Sequence, residues 1–503
     1  MTSIYMTSII FGELKNHITS FVSITLLLIS IKLNAQSYIG LNTANYSGVL
    51  GATIHPASVA DYPGKFDLVI LGLDVHAENN SAMVTRDRAF MNFNFDDFEV
   101  AEIHNDKDKY GLLNFELTIP SFMFKTKKWG TIGLINRVRN YVLVDGINSE
   151  LIEEIYDGFE NPNPTDQIYL NQHFDINVMS WDEIGILWAK QIKENKYGKF
   201  AIGITPKIII GNASGFGNFQ TDTLGITNDD LINLANFDIS YGYSGNIDDI
   251  EDNGFSWDSF NKYYFGLDIG FEYTRLYRSD YRPGFSKYLK LYKIDDLNSQ
   301  EYKYKLSASI LDIGRIKYDH GKNNARSLPD LDTNTDINSI EGSFDEIKVL
   351  RDSLENLDIS EYLTGTYTVG LPTTLQLGID YHLKGGAYVN GNLGFNLSGL
   401  KWADEKTNTF TNLTITPRWE NNWVGVHAPF YANARGYTSL GLGFRVGPIA
   451  LGLRDILPFI SRNDVTGTGV YIVFKTFIRK KKEKSNVECA RGGKWKKGKK
   501  RKK

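Results

Sequence analysis

The chain has 503 residues, a formal net charge of −4, 13% aromatic residues, 46 Gly and one cysteine, Cys489. A lone cysteine excludes an intrachain disulfide and a cysteine-based zinc site, and a composition rich in Tyr, Phe and Gly suits strands and tight turns better than helices. The charge is divided: Arg479 onward carries 14 Lys/Arg against Glu483 and Glu488, a balance of +12, so the preceding 478 residues carry −16.

Residues 1–35 read as an export signal. Lys15 precedes the apolar run Phe21–Ile31, and Leu33-Asn34-Ala35 offers a cleavage point before Gln36. No later stretch supplies the ~18 consecutive apolar residues that a spanning helix needs. A mature protein in the membrane must therefore be a closed barrel, since lipid offers backbone groups no partners. Residues 36–64 form a separate N-terminal segment containing His55, Pro56, Ala57 and Ser58. An X-Pro step there is compatible with a simple turn before the first strand.

From residue 65 to 478 the dominant pattern is two-residue alternation. In Phe265–Tyr273 every odd position is large and apolar, while the even positions are Gly266, Asp268, Gly270 and Glu272. Side chains on a strand alternate between faces, so one face is greasy and the other small or charged. The pattern recurs in 184–192, 202–210, 375–383 and 440–446, and 131–144 sets Gly133, Arg137 and Arg139 on one face. Further strands are expected at 65–75, 110–124, 237–243, 302–318, 386–397, 410–417, 448–456 and 470–478, with a weaker one at 90–95. The total is about 14, an even number as bacterial barrels have. Hairpin turns are expected near 127–130, 193–198 and 384–385. This list does not keep long loops on one side throughout, so at least one strand is missing or misplaced. A soluble sandwich would bury the greasy face instead. Gly-rich polar faces and apolar rows of up to five residues favour an all-β transmembrane antiparallel barrel.

The barrel reading assigns Arg137, Arg139, Glu183, Asp268, Glu272, Asp380, Arg445 and Arg454 to the lumen, as ion pairs or along a permeation path. Asn148 can cap one loop helix, and Ser343-Phe-Asp-Glu346 is a capping box opening another. Asp330, Asp332, Asn334, Asp336, Asn338 and Glu341 have the spacing of a calcium loop. Thr335 stands where the tight turn wants Gly, and an Asp/Asn-rich surface loop has the same composition. Otherwise no cofactor is expected. The eight histidines lack zinc-protease spacing, and there is no phosphate loop or nucleophile elbow, so no enzyme is expected. The basic tail, 479–503, reads as a disordered arm touching anionic envelope components rather than nucleic acid. It also displaces Phe474 and Phe477 from the chain end, which puts a terminal-aromatic assembly signal in doubt.

Several segments together carry a resemblance: Tyr46-Ser47-Gly48, the stretch His55 to Asp61, Ser309 to Gly314, Leu371-Pro372-Thr373, and Gly443 to Pro448. In this order they resemble an uncharacterised Bacteroidetes family of outer-membrane proteins, domain of unknown function 5723, over about Gln36 to Ile478. That family is similar to the long-chain fatty-acid transporter barrels and to the shuttle barrel of type IX secretion. These share an Asn-Pro-Ala element, which in the fatty-acid transporters belongs to a plug inside the lumen. Here His55 stands at the Asn position, a departure that bears on plug mechanics. The resemblance implies an outer-membrane barrel of a Gram-negative bacterium with membrane lipids and the barrel-assembly machinery as partners. Two roles stay open: passage of hydrophobic or small solutes through a plugged lumen, or a non-transporting scaffold that binds envelope or secretion partners.

Overall fold

A computed structural model describes residues 37–84, 100–103, 105, 107–149, 151–152, 167–195, 197–226, 231–248, 262–276, 302–327, 331–336, 360–399, 403–461 and 465–479. The expected signal segment, strand 90–95, the capping-box helix and nearly all of the basic tail lie outside them.

One antiparallel sheet closes on itself as a 14-stranded barrel. Numbering only the strands of the ring, these are β1 Gly64–Asn79, β2 Lys109–Thr126, β3 Gly130–Ile147, β4 Gln167–Glu194, β5 Gly198–Ile226, β6 Tyr263–Leu276 and β7 Tyr302–Asp319. They continue with β8 Thr374–Lys384, β9 Ala387–Asn396, β10 Asn412–Glu420, β11 Val424–His427, β12 Leu442–Val446, β13 Ile449–Leu453 and β14 Gly467–Arg479. Closure is made by β14 on β1, from Gly64 opposite Arg479 to Glu78 opposite Gly467. Closure removes the exposed edges that an open sheet would present.

Alternation sets the two faces as expected. On β6, Phe265 and Phe271 are exposed (82% and 47%), whereas Asp268 and Glu272 are buried. Ile184 and Ile186 on β4, Leu377 and Ile379 on β8, and Phe444 and Val446 on β12 likewise point outward. The apolar rows therefore face away from the barrel, not into a second sheet. Among the described residues no helix is long and apolar enough to cross a membrane.

Two expectations about strands need correction. The segment Leu231–Tyr243 is a strand but not part of the ring. It pairs with the distal half of β5 and with the short strands Ala325–Ser327 and Leu331–Asp336. The missing ring member is β11, whose direction is broken after His427 and resumed at Phe430–Asn433; β10 pairs with both pieces. Pro429 has no N–H to give to a ladder, so the run does not read as one strand. Its carbonyl accepts from Gly441 N–H (2.7 Å), where Thr438–Leu440 passes into β12. With these two changes the short turns 127–129, 195–197, 385–386, 421–423 and 447–448 all lie at the end where the ring begins and finishes.

β4 and β5 have 28 and 29 residues, against the ~9–11 that span a bilayer. β6 follows β5 only from Gly198 to Ile210. Beyond that point β4, β5 and Leu231–Tyr243 run on as a ribbon, which β3 still borders as far as Asp145 opposite Asp175. The backbone of Ile152 donates to Asn148 O (3.1 Å), the first turn of the helix expected there. Its continuation lies outside the described residues.

Candidate functional site: the filled lumen

The inward faces of the ring are occupied by the chain's own N-terminal segment. Residues 37–62 fold as a short helix, Val49–Ala52, and a 3-10 helix, Pro56–Asp61. Tyr38, Val49, Leu50, Ala57 and Val59 are each at most 2% exposed. The segment bonds to strands all round the ring. Tyr38 N–H donates to Asp74 on β1 (2.6 Å), and Asn45 N–H to Glu420 on β10 (3.0 Å). His55 Nδ1 pairs with Ser309 Oγ on β7 (3.0 Å). Lys125 on β2 donates to Ala60 O (2.6 Å), Thr131 on β3 to Val59 O (3.0 Å), and Lys199 on β5 to Asp61 (2.9 Å).

Two glycines allow the close approach. A Cβ on Gly203 of β5 would lie 2.3 Å from the Pro56 carbonyl carbon, which is backbone and cannot swing aside. Gly48 has φ +63, and a Cβ there would meet the Asp67 carboxylate at 2.2 Å. Asp67 instead accepts from Val49 N–H (3.1 Å) and Tyr62 O–H (2.8 Å), and pairs with Lys475 at 3.0 Å. Lys475 donates onward to the carbonyls of Tyr46 (2.9 Å) and Ser47 (2.6 Å). Burial lowers His55 to a pKa of about 4, so the ring is neutral at pH 7. For Asp61 burial pushes upward, but Lys305, Lys199 and Lys125 prevail and hold it below the ordinary carboxylate value.

Above the 3-10 helix lies a layer of paired charges. Arg137 meets Glu116 at 3.1 Å and also pairs with Glu183. Arg139 reaches Asp312 at 2.9 Å and stacks over Trp181 at 4.7 Å. Lys207 contacts Asp312 (2.7 Å), Asp268 (2.8 Å) and Glu183 (3.4 Å). Four carboxylates thus share three cations. A bulge in β7 makes this possible: Asp312 has φ +56, and the register against β6 slips between Ile310 and Ile313. A second group joins Arg418 to both oxygens of Asp380 (2.5 and 2.8 Å) and to Glu420 (2.9 Å), with Tyr302 O–H also donating to Asp380. Burying a charge costs several kcal/mol unless it is paired, which explains why these groups appear as clusters.

All eight charges assigned to the lumen face inward. Glu272 lies 3.8 Å from Lys305, Arg445 stacks on Tyr46 at 5.1 Å, and Arg454 on Tyr431 at 4.9 Å. Sequence reasoning missed Glu116, Lys207, Asp312, Arg418, Asp67 and Lys475. Lys207 was within reach, since it falls between Pro206 and Ile208 of the outward row. Asp312 and Arg418 were not, because a bulge and a partner on a distant strand give no local pattern.

The proposed calcium segment behaves differently from a calcium loop. Leu331–Asp336 is a strand paired with Leu231–Phe237. An extended strand spaces alternate residues about 7 Å apart along its axis instead of winding them round an ion. Asp330, Asn338 and Glu341 lie outside the described residues. No three His, Cys, Asp or Glu among the described residues are arranged to hold a metal.

A closed barrel with an apolar outer face and a filled, charged interior defines a membrane β-barrel. The chain belongs to the family of unknown function DUF5723, whose model matches residues 56–453. The motifs that carried the resemblance converge on the lumen: Lys475 binds Tyr46-Ser47, His55 binds Ser309, and Thr373 donates to Asp312 O at 2.8 Å. No curated protein matches the chain by sequence. Among solved structures it is similar to the toluene transporter TbuX of Ralstonia pickettii, at 9% identity and TM-score 0.40, covering 86% of this chain and 95% of that one. It is also similar to the toluene transporter TodX of Pseudomonas putida, at 10% identity and TM-score 0.32, covering 88% and 94%. A porin of Rh. blastica gives 8% identity and TM-score 0.22, covering 82% and 99%.

Proposed function

We propose that the chain is an outer-membrane channel of a Gram-negative bacterium that passes small or hydrophobic solutes, closed in this state by residues 37–62 acting as a plug. The observation that carries this reading is the hydrogen-bonded seat of that segment inside the ring, on at least six strands. A barrel serving only as an anchor needs no docked, covalently tethered occupant. The short turns and both ends of the ring then face the periplasm, and the ribbon faces outward, as in bacterial barrels generally. An export signal in residues 1–35 and insertion by the barrel-assembly machinery belong to the same reading. Solute passage requires the plug to shift, since its side chains fill the path.

The test is entry of the hydrophobic dye N-phenylnaphthylamine into cells producing the full chain or a form lacking 37–62. Faster entry than in cells without the protein, and faster still for the deletion, is expected. Entry at the control rate for both forms rejects transport. The projecting ribbon favours a second reading, an envelope scaffold; in that case both forms leave entry unchanged while cross-linking at the ribbon recovers a stable envelope partner.

A further inference from the structure

The outer surface of the ring is basic at the end that carries the short turns. Lys127 and Lys128 lie in the turn between β2 and β3, Lys190 and Lys193 near the end of β4, and Lys384 at the end of β8, all exposed. The exposed acid on the outer surface of this end, among the described residues, is Glu194, and Gln191 donates to it at 2.6 Å. Within those residues none of the five lysines has a carboxylate at ion-pair distance. At the far end, by contrast, Lys262 pairs with Asp319, Arg326 with Glu361, and Arg435 with Asp145 at 2.6 Å. β14 closes on β1 at the basic end, with Gly64 opposite Arg479, so the Lys/Arg-rich stretch that follows Arg479 in the sequence starts there too.

Aromatic rings mark the depth at which these cations sit. Trp129, Trp419 and Trp423 are all exposed at the turn end, and amphipathic rings settle where hydrocarbon gives way to head groups. The Trp188 indole, on the outward row of β4, donates to Trp129 O (2.9 Å) and ties that strand to the β2–β3 turn. Lys190 is the next outward residue, about 7 Å nearer the chain's turn at ~3.3 Å per residue. Lys128 Nζ lies over the Trp129 ring at 5.1 Å, and the Arg275 guanidinium over the Tyr197 ring at 5.3 Å. Side-chain stems thus lie on apolar surface while the charged heads reach the boundary. Ammonium groups there meet lipid phosphates, which they bind as point charges, and a basic cluster beside a membrane attracts lipids of net negative charge over zwitterionic ones. A soluble partner would have to displace lipid from rings already seated at the boundary.

We propose that the turn-side rim of the ring is a binding surface for the phosphates of anionic glycerophospholipids. This rests on the membrane orientation given under the proposed function and not on solute passage. The full chain is folded into dioleoylphosphatidylcholine vesicles in which a rising share of lipid is dibrominated phosphatidylglycerol or dibrominated phosphatidylcholine, and tryptophan quenching is read. Preference for the glycerol lipid by about threefold or more is expected, falling toward parity in a variant with Lys127, Lys128, Lys190, Lys193 and Lys384 all replaced by Gln. Heat-modifiable gel mobility confirms that this variant folds, and a chain lacking residues 480–503 keeps the preference. Equal quenching by the two lipids, an undiminished preference in the variant, or a preference lost with 480–503 alone overturns the proposal while leaving the barrel intact. Quenching by neither lipid overturns the membrane reading with it.

Discussion

The two halves of β4 experience different solvents, and their side chains show it. From Trp181 to Ala189 buried and exposed residues alternate without a break, Trp181, Glu183, Gly185, Leu187 and Ala189 inward, Ile184 and Ile186 outward. In residues 167–175 only Gln172 is buried, and Asn171, His173 and Asp175 are exposed beside Ile168 and Leu170. The same backbone conformation runs through both. What differs is what lies on either side: lipid and a packed lumen in the ring, and in the ribbon only local cover, which buries Gln172, Thr221, Leu224 and Phe237. The unbroken alternation of 181–189 therefore reflects two faces with different surroundings, not the extended backbone alone.

That comparison can be broken most forcefully inside the ring. Arg418→Ala leaves Asp380 and Glu420 buried without their cation and is expected to destabilise the barrel by about 3–5 kcal/mol, read from urea unfolding in micelles. On the outer face Phe265→Arg is expected to cost about 2–4 kcal/mol if that position lies near the bilayer midplane, whereas His173→Arg in the ribbon stays within about 0.5 kcal/mol. Equal costs at positions 265 and 173 would erase the distinction between ring and ribbon.

A finer contrast concerns the plug. Gly203→Val forces side-chain atoms into the Pro56 backbone, and greater protease access to residues 37–62 is expected while the ring stays folded. The smallest effect is on pH. His55 titrates at about 4 when docked and near its ordinary 6.5 when released. Its folded value is lowered, so the released form binds protons first, and docking weakens as pH falls from about 6.5 to 4. His55→Asn should remove that component of the pH dependence of protease access; an unchanged slope would mean that other groups dominate.

The ring was legible because lipid imposes a rule on every second residue, from Phe265 to Val446. Where a strand obeys other demands the rule fails. Pro429 hid β11, and the alternation of Phe237–Tyr243 is real but serves the ribbon. Inward charges could be read singly, as with Arg137 and Glu183, but their partners could not. The Asp312 bulge and the Arg418–Asp380 pair join positions 44 and 38 residues from their nearest partners on other strands. Spacing suggested calcium near Asp332, yet register with Leu231–Phe237 draws that segment out straight. The seat of His55 against Ser309, 254 residues apart, is written nowhere locally.

That contact offers the most direct test. In a Cys489→Ser background, His55→Cys with Ser309→Cys should cross-link on oxidation in isolated outer membranes, and dye entry should fall until the link is reduced. Absence of the cross-link in folded, heat-modifiable protein would contradict the claim that the chain's own N-terminal segment fills its barrel.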